Sequence, residues 1–361
     1  MRRFLQRTAS WACALLVLVA QCALGATTRI VPLVDRPGAC SYCASVKAAL
    51  EAARESVDLL LSDAELDGNP LLSWVVSVVE RGVPVRAILD SSDWSLTITE
   101  KNRPTVDYLR ERGVDARFDD PAVTTHAKLV VVDRRVVILG STNWNRHAVS
   151  EQEQANVLVE DERIGGVFAE YFERLWNETL PEAGVVLDLE PLSAREPYLI
   201  PIPEVAGTTN YVRVLTQLLA SAQRSVHVVM YRASHYPGYP GSLSNVILQG
   251  VIDAAGRGLD VRIVLDDCAF FPDSAEANLE AALFLHLHGV DVRLDDPSVT
   301  THAKLVIVDE ESVLVGSTNW NYYSLEKDNE VDLAFIGLRS VALPYERFFR
   351  LVWEDARRLS D

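Results

Sequence analysis

Hydrophobic positions along this chain follow two rhythms, and the same series of rhythms is written twice. In the first half, an amphipathic helical pattern over residues 44–54 precedes an apolar strand at 57–61, a helix over 71–81 and a strand at 85–89 that ends in Asp90. The second half repeats the series with a helix over 212–223, a strand at 226–230, a helix over 243–257 and a strand at 261–265 that ends in Asp266. Apolar residues at helical spacing mark the helices, and short β-branched runs mark the strands. Short strands at 115–118 and 291–294 follow, and each half closes on an aromatic-rich helix, 167–176 and 345–353. Strands alternating with helices of this length predict an α/β sheet covered by helices.

The repetition extends to residue identity. Between 117–145 and 293–321, 21 of 29 positions match at a constant offset of 176, so the chain is an internal duplication. Proline is dense between the halves, at Pro181, Pro191, Pro197, Pro201 and Pro203, which predicts a linker over 184–207 joining domains at 26–183 and 208–361. The halves differ most after their first strand. Ser56 to Asp90 spans 34 positions and Ser225 to Asp266 spans 41, so the second half carries seven extra residues in a Gly/Pro-broken loop with His235, Tyr236 and Tyr239. Loops at the carboxyl ends of strands in such sheets commonly meet ligands.

Composition adds a compartment and a charge. Arg2, Arg3 and Arg7 precede an apolar run from Trp11 to Ala20 and the small residues Ala23 and Gly25, which predicts a secretory signal peptide over 1–25 and a mature start near Ala26. The run is short for a membrane span, so a periplasmic or extracellular protein is expected rather than an anchored one. Removing those residues takes away three arginines and no acid, moving the formal charge from −17 to −20. Such acidity opposes long-range attraction to nucleic acid or an anionic membrane, although a local basic cleft can override it. Cys40, Cys43 and Cys268 would remain, and the CxxC spacing without a second such pair predicts a local disulfide or plain thiols rather than a metal site.

The chemistry sits in the duplicated stretch. The first copy reads His126-x-Lys128-x4-Asp133-x6-Gly140-Ser141-x-Asn143, and the second His302-x-Lys304-x4-Asp309-x6-Gly316-Ser317-x-Asn319. Side chains alternate faces along a strand, so each His and its Lys point the same way. Asp133 and Asp309 fall at odd separation, where the chain turns, and are expected to fix backbone rather than to make bonds. Lysine beside each histidine disfavours a zinc site, and the trailing Trp144 and Trp320 are expected to pack.

HxKxxxxD followed by GSxN, twice in one chain, resembles the phospholipase D superfamily. The resemblance implies two tandem α/β/α sandwich domains related by a pseudo-twofold axis, with one active site at their interface. It further implies a phosphohistidine formed by one histidine, protonation of the leaving alcohol by the other, and attack by water, with no metal or other cofactor. Lys128 and Lys304 would hold the phosphoryl oxygens, with Ser141, Asn143, Ser317 and Asn319 as neutral donors. Downstream, Glu330 in the second half is matched by Gln154 in the first. If Glu330 supports His302, that histidine becomes the better acid and His126 the nucleophile. Export, acidity and the Tyr/Pro-rich loop favour a phospholipid substrate at a membrane surface for a monomeric enzyme. A nuclease acting on DNA or RNA is the alternative, followed by a cardiolipin synthase-like phosphatidyltransferase, and a noncatalytic binding protein would have lost a His or Lys.

Overall fold

The computed structural model describes residues 16–19, 21–25, 27–93, 96–179, 185–192, 196–267 and 269–359. Most of the expected signal peptide (1–15 and 20), the expected mature start Ala26, Pro181 and Cys268 lie outside them.

Each half forms one mixed sheet, and the strand order is the same in both. From one edge, the first sheet runs Asp115–Phe118, Val85–Leu89, Val57–Leu61, Lys128–Val132, Val136–Gly140, Gln152–Glu160 and Arg29–Asp35. The second runs Asp291–Leu294, Asp260–Leu265, Ser225–Met230, Lys304–Val308, Ser312–Gly316, Glu330–Ile336 and Tyr198–Glu204, with short edge strands added outside. The first three strands of each set are parallel, and the rest join antiparallel. Three apolar cores result. Each sheet buries one face under its own helices, such as Ser41–Ala52 and Pro70–Glu80 in the first half and Asn210–Ser221 and Leu243–Gly256 in the second. The other two faces, through Leu129, Val131, Leu305 and Ile307, meet the closing helices Glu162–Trp176 and Arg339–Asp355 in a shared central core. The closing helices bond across the halves: the Tyr171 hydroxyl donates to Glu204 O at 2.8 Å and Tyr345 to Asn156 O at 2.6 Å.

The expected linker needs correction, and two strands went unread. Residues 198–204, read as linker, are a strand paired in full with Glu330–Ile336. Its prolines are tolerated because only Tyr198 and Leu199 pair on the outer side, with Cys22–Ala23, so beyond them no ladder requires an N–H there. Residues 185–188 likewise pair in parallel with Leu16–Val19. The strands Arg29–Asp35 and Gln152–Glu160 were not anticipated, because Glu153, Gln154 and Asn156 break the apolar pattern yet are buried. Cys40 and Cys43 form a disulfide with 5.2 Å between their Cα atoms.

The motif glycines answer to close packing. A Cβ on Gly140 would lie 2.5 Å from Ala155 O, and one on Gly316 2.5 Å from Val331 O, so neither position admits a side chain. Trp144 and Trp320 are fully buried and donate their indole N–H to Tyr42 at 2.8 Å and Tyr211 at 2.9 Å.

Candidate active site

Each motif histidine opens onto a strand that its own half pairs, but its backbone is held by the other half. His126 N and Ala127 N donate to Asn329 O at 3.0 and 3.1 Å, and His302 N donates to Glu153 O at 2.8 Å. Thr300–Thr301 adds in parallel to Gln152–Glu153, which completes the reciprocal stitching. The side chains follow suit. His126 Nδ1 lies 2.9 and 3.1 Å from the two carboxylate oxygens of Glu330, while His302 Nδ1 lies 2.9 Å from Ser141 O and 3.4 Å from the Gln154 amide oxygen. A carboxylate and a carbonyl can only accept, so both Nδ1 atoms carry hydrogen and both Nε2 atoms present a lone pair when the ring is neutral.

This overturns the expected partner of Glu330, and with it the argument that made His302 the better acid through that carboxylate. The acid sits 176 residues after Gln154 in sequence, yet it backs the histidine of the opposite half, because the strand Glu330–Ile336 runs along the interface where the motifs meet. Glu330 also accepts from the Ser317 hydroxyl. Ser141 donates to Gln154 at 2.6 Å. Both serine side chains are fully buried and committed, so they orient the histidines' partners and do not serve as phosphate donors. Asn143 and Asn319 differ: each has a buried side-chain oxygen with no hydrogen-bond partner, and only the NH2 group of each amide could donate to an anionic oxygen.

Lys128 and Lys304 are almost wholly buried, and their ammonium groups donate to His126 O and, at 2.6 Å, to His302 O. Burial outweighs the nearby acids Glu330, Asp63 and Asp90 and brings Lys128 down to about 8. Burial, with Lys128 beside it, holds Lys304 well below the lysine range. Burial also lowers both histidines, with Glu330 partly restoring His126 and the two ammonium groups depressing His302 much further. Burial pushes Glu330 up, but His126, Lys128 and the Ser317 hydroxyl outweigh it and keep the carboxyl below its ordinary value. Glu330 and His126 thus bear on each other's protonation, the carboxylate favouring charge on a ring that burial disfavours. His126 is 20% exposed and His302 is buried, so the imidazole backed by the acid is the accessible one.

Asp133 and Asp309 stand at two-residue turns, where the paired positions Asp133-Arg134 and Asp309-Glu310 all have positive φ. Asp133 accepts the N–H groups of Arg54, Glu55 and Ser56, at 2.7 Å for Glu55, and Asp309 accepts those of Gln223, Arg224 and Ser225. Asp133→Ala should therefore cost about 1–3 kcal/mol in urea unfolding, the price of several unsatisfied backbone donors, with turnover per folded molecule unchanged. A loss of turnover at full stability would contradict this purely structural role.

Sequence reasoning noted Asp90 and Asp266 only as strand ends and missed their task. Asp90 accepts from Thr125 N at 2.6 Å and Asp266 from Thr301 N at 2.8 Å, which fixes the residue before each histidine. Burial raises Asp90 to about 6, and burial with Asp90 beside it raises Asp119 to about 7. The available signal was an acid at both strand ends, 176 apart.

Comparison with known proteins agrees with this layout. Residues 46–176 and 215–353 each match the family described as "Cardiolipin synthase, PLD-like domain". The chain is 35% identical over 134 residues to mitochondrial cardiolipin hydrolase of Canis lupus familiaris, covering 37% of this chain and 50% of that protein. It is 31% identical over 121 residues to phospholipase D Y of Dictyostelium discoideum, covering 33% of this chain and 27% of that one. The chain thus spans about half the length, or less, of these curated relatives. The crystal structure of phosphatidylserine synthase from Haemophilus influenzae superposes with a TM-score of 0.72 at 12% identity, covering 94% of this chain and 89% of that one, which is a likeness of fold.

Proposed function

Since the chain belongs to the phospholipase D superfamily through two PLD-like domains, we propose that it hydrolyses the phosphodiester of a phospholipid, with His126 as nucleophile and His302 as proton donor. The observation that carries the assignment is the bond between His126 Nδ1 and Glu330. Attack by Nε2 on phosphorus leaves positive charge on the imidazole, and a buried carboxylate at Nδ1 balances it as it develops. The P–N bond forms, the P–O bond to the leaving alcohol breaks, and that oxygen takes a proton from His302 Nε2. Water then attacks phosphorus, the P–N bond breaks, and His302 recovers the proton from the water.

His302 suits the second role because its Nδ1 faces a carbonyl and the amide of Gln154, which do not trap a proton as a carboxylate would. The anionic phosphodiester offsets Lys304 and Lys128, whose charges depress His302 in the free site. Lys128 and Lys304, with the amides of Asn143 and Asn319, bind the nonbridging oxygens.

Because Lys128 is held at about 8, kcat/KM for an anionic diester should fall as pH rises past that value and the ammonium is lost. A flat profile to pH 10 would remove Lys128 from phosphate binding. The disulfide Cys40–Cys43 supports the exported location read from the leader pattern, since such bonds persist in oxidising compartments. The substrate is tested by incubating the purified chain, with chelator present, with phosphatidylcholine, cardiolipin and plasmid DNA. Release of phosphatidic acid from either lipid is expected, and cleavage of DNA alone would refute the lipid reading.

A further inference from the structure

The duplication supplies an internal control for the surface: the same elements occur twice, so a difference in what they expose is a difference in what they meet. The helices Leu96–Glu111 and Pro272–Leu287 correspond residue for residue at the offset of 176. On the first, the exposed positions Arg103, Asp107 and Glu111 are charged. On the second, the same positions are Leu279, Leu283 and Leu287, which are 43%, 46% and 81% exposed. The short helices Arg146–Ser150 and Tyr322–Glu326 behave likewise, with exposed Arg146 and His147 replaced by exposed Tyr322 and Tyr323. Of twelve large apolar side chains exposed among the described residues, ten lie beyond residue 208.

One of the ten, Phe271, borders the site. The Phe271 ring meets Tyr231 edge-on at 6.3 Å, and Tyr231 lies 4.5 Å from the ring of His302, so the apolar surface runs into the cleft. Phe270, at the same turn, is 75% exposed. The seven-residue extension ties the remaining parts together. Its His235 stacks on Phe284 of the leucine-bearing helix at 3.7 Å, and the Tyr236 hydroxyl accepts from Tyr322 N at 3.2 Å. Tyr236, Tyr239, Tyr322 and Tyr323 line a groove of about 790 Å³ between extension and helix.

We propose that this face of the second half docks on the surface of a lipid bilayer, with the aromatic side chains at the headgroup level and the first half held in solution. The inference rests on the lipid reading above for its choice of occupant. Tyrosine with neighbouring apolar side chains suits the membrane–water boundary. A chain of net charge −17 is not drawn to an anionic membrane by long-range attraction, which leaves apolar contact as the means of attachment. Among the described residues no helix is long and apolar enough to cross a membrane.

The test gives the second half the first half's residues: Leu279→Arg, Leu283→Asp, Leu287→Glu, Tyr322→Arg and Tyr323→His in the full chain. The set is neutral in net charge, and each residue already stands at its counterpart position on the same backbone. Flotation with zwitterionic phosphatidylcholine vesicles should show affinity at least tenfold lower, while turnover of soluble bis(p-nitrophenyl) phosphate stays within twofold. Unchanged flotation overturns the proposal. So does loss of a dimer, or of single-stranded DNA binding, without loss of flotation. Flotation is read without hydrolysis, so a chain that cleaves only DNA yet floats through these residues would sink the lipase reading and leave the docking face standing. Should soluble turnover collapse, Phe270→Ser, on an exposed turn, repeats the test, and unchanged flotation of that variant overturns the proposal equally.

Discussion

Replacing His126 by alanine should lower phosphodiester turnover by roughly 10⁴-fold or more, because a positioned acid or base alone is worth about 10²–10⁴ and here the covalent path is lost as well. Its backbone bonds to Asn329 do not depend on the imidazole, so circular dichroism should show the fold retained, while melting falls somewhat because the buried Glu330 loses a partner. The informative partner is His302→Ala. With a lipid substrate it should be similarly inactive, since the alkoxide leaving group needs a proton. With bis(p-nitrophenyl) phosphate the leaving phenolate needs none. The variant should then release a burst of one nitrophenolate per chain and stall as a phosphohistidine, because no base remains to activate water. Mass spectrometry should find the phosphoryl group on His126. Phosphate on His302 in the His126→Ala chain, with none on His126 in the other, would exchange the two roles.

Glu330→Gln should lower kcat by about 10²–10³-fold, between the 10–100-fold typical of an outer partner and the roughly 10⁴-fold known for removing the carboxylate behind a catalytic histidine. Glutamine keeps the shape and can still accept from His126 Nδ1, but it cannot balance the charge that forms on the ring. Because Glu330 also opposes the burial-driven loss of the Lys128 proton, the variant should lose kcat/KM at lower pH than the parent, with the alkaline limb moved below about 8. An alkaline limb that stays in place would show that Glu330 and Lys128 do not share one field. The mirror variant Gln154→Glu places a carboxylate beside His302, at the 3.4 Å contact now made by the amide, and should raise that ring's hold on its proton.

The parallel strands, their helices and the motif strand positions were legible because they depend on local pattern. The run 57–61 reads as a strand and is one, since four buried apolar residues interrupted only by Asp58 leave few alternatives. Gln152–Glu160 and Glu330–Ile336 were opaque for the opposite reason. Their buried Gln154, Asn156, Glu330 and Asp332 serve the site or the GST turn, so function interrupts the pattern that would have revealed the strands. Prolines at 201 and 203 misled in the same way, because a ladder can spare an N–H on one side and composition does not say which.

Sequence alone determined that two like halves each bring a histidine and a lysine to one strand face, because period-two alternation and a constant offset are properties of the chain itself. Which carboxylate stands behind which histidine was decided only in three dimensions. The halves dock through their central faces and closing helices, and that packing carries Glu330 across the interface to His126, away from the histidine nearer to it along the chain.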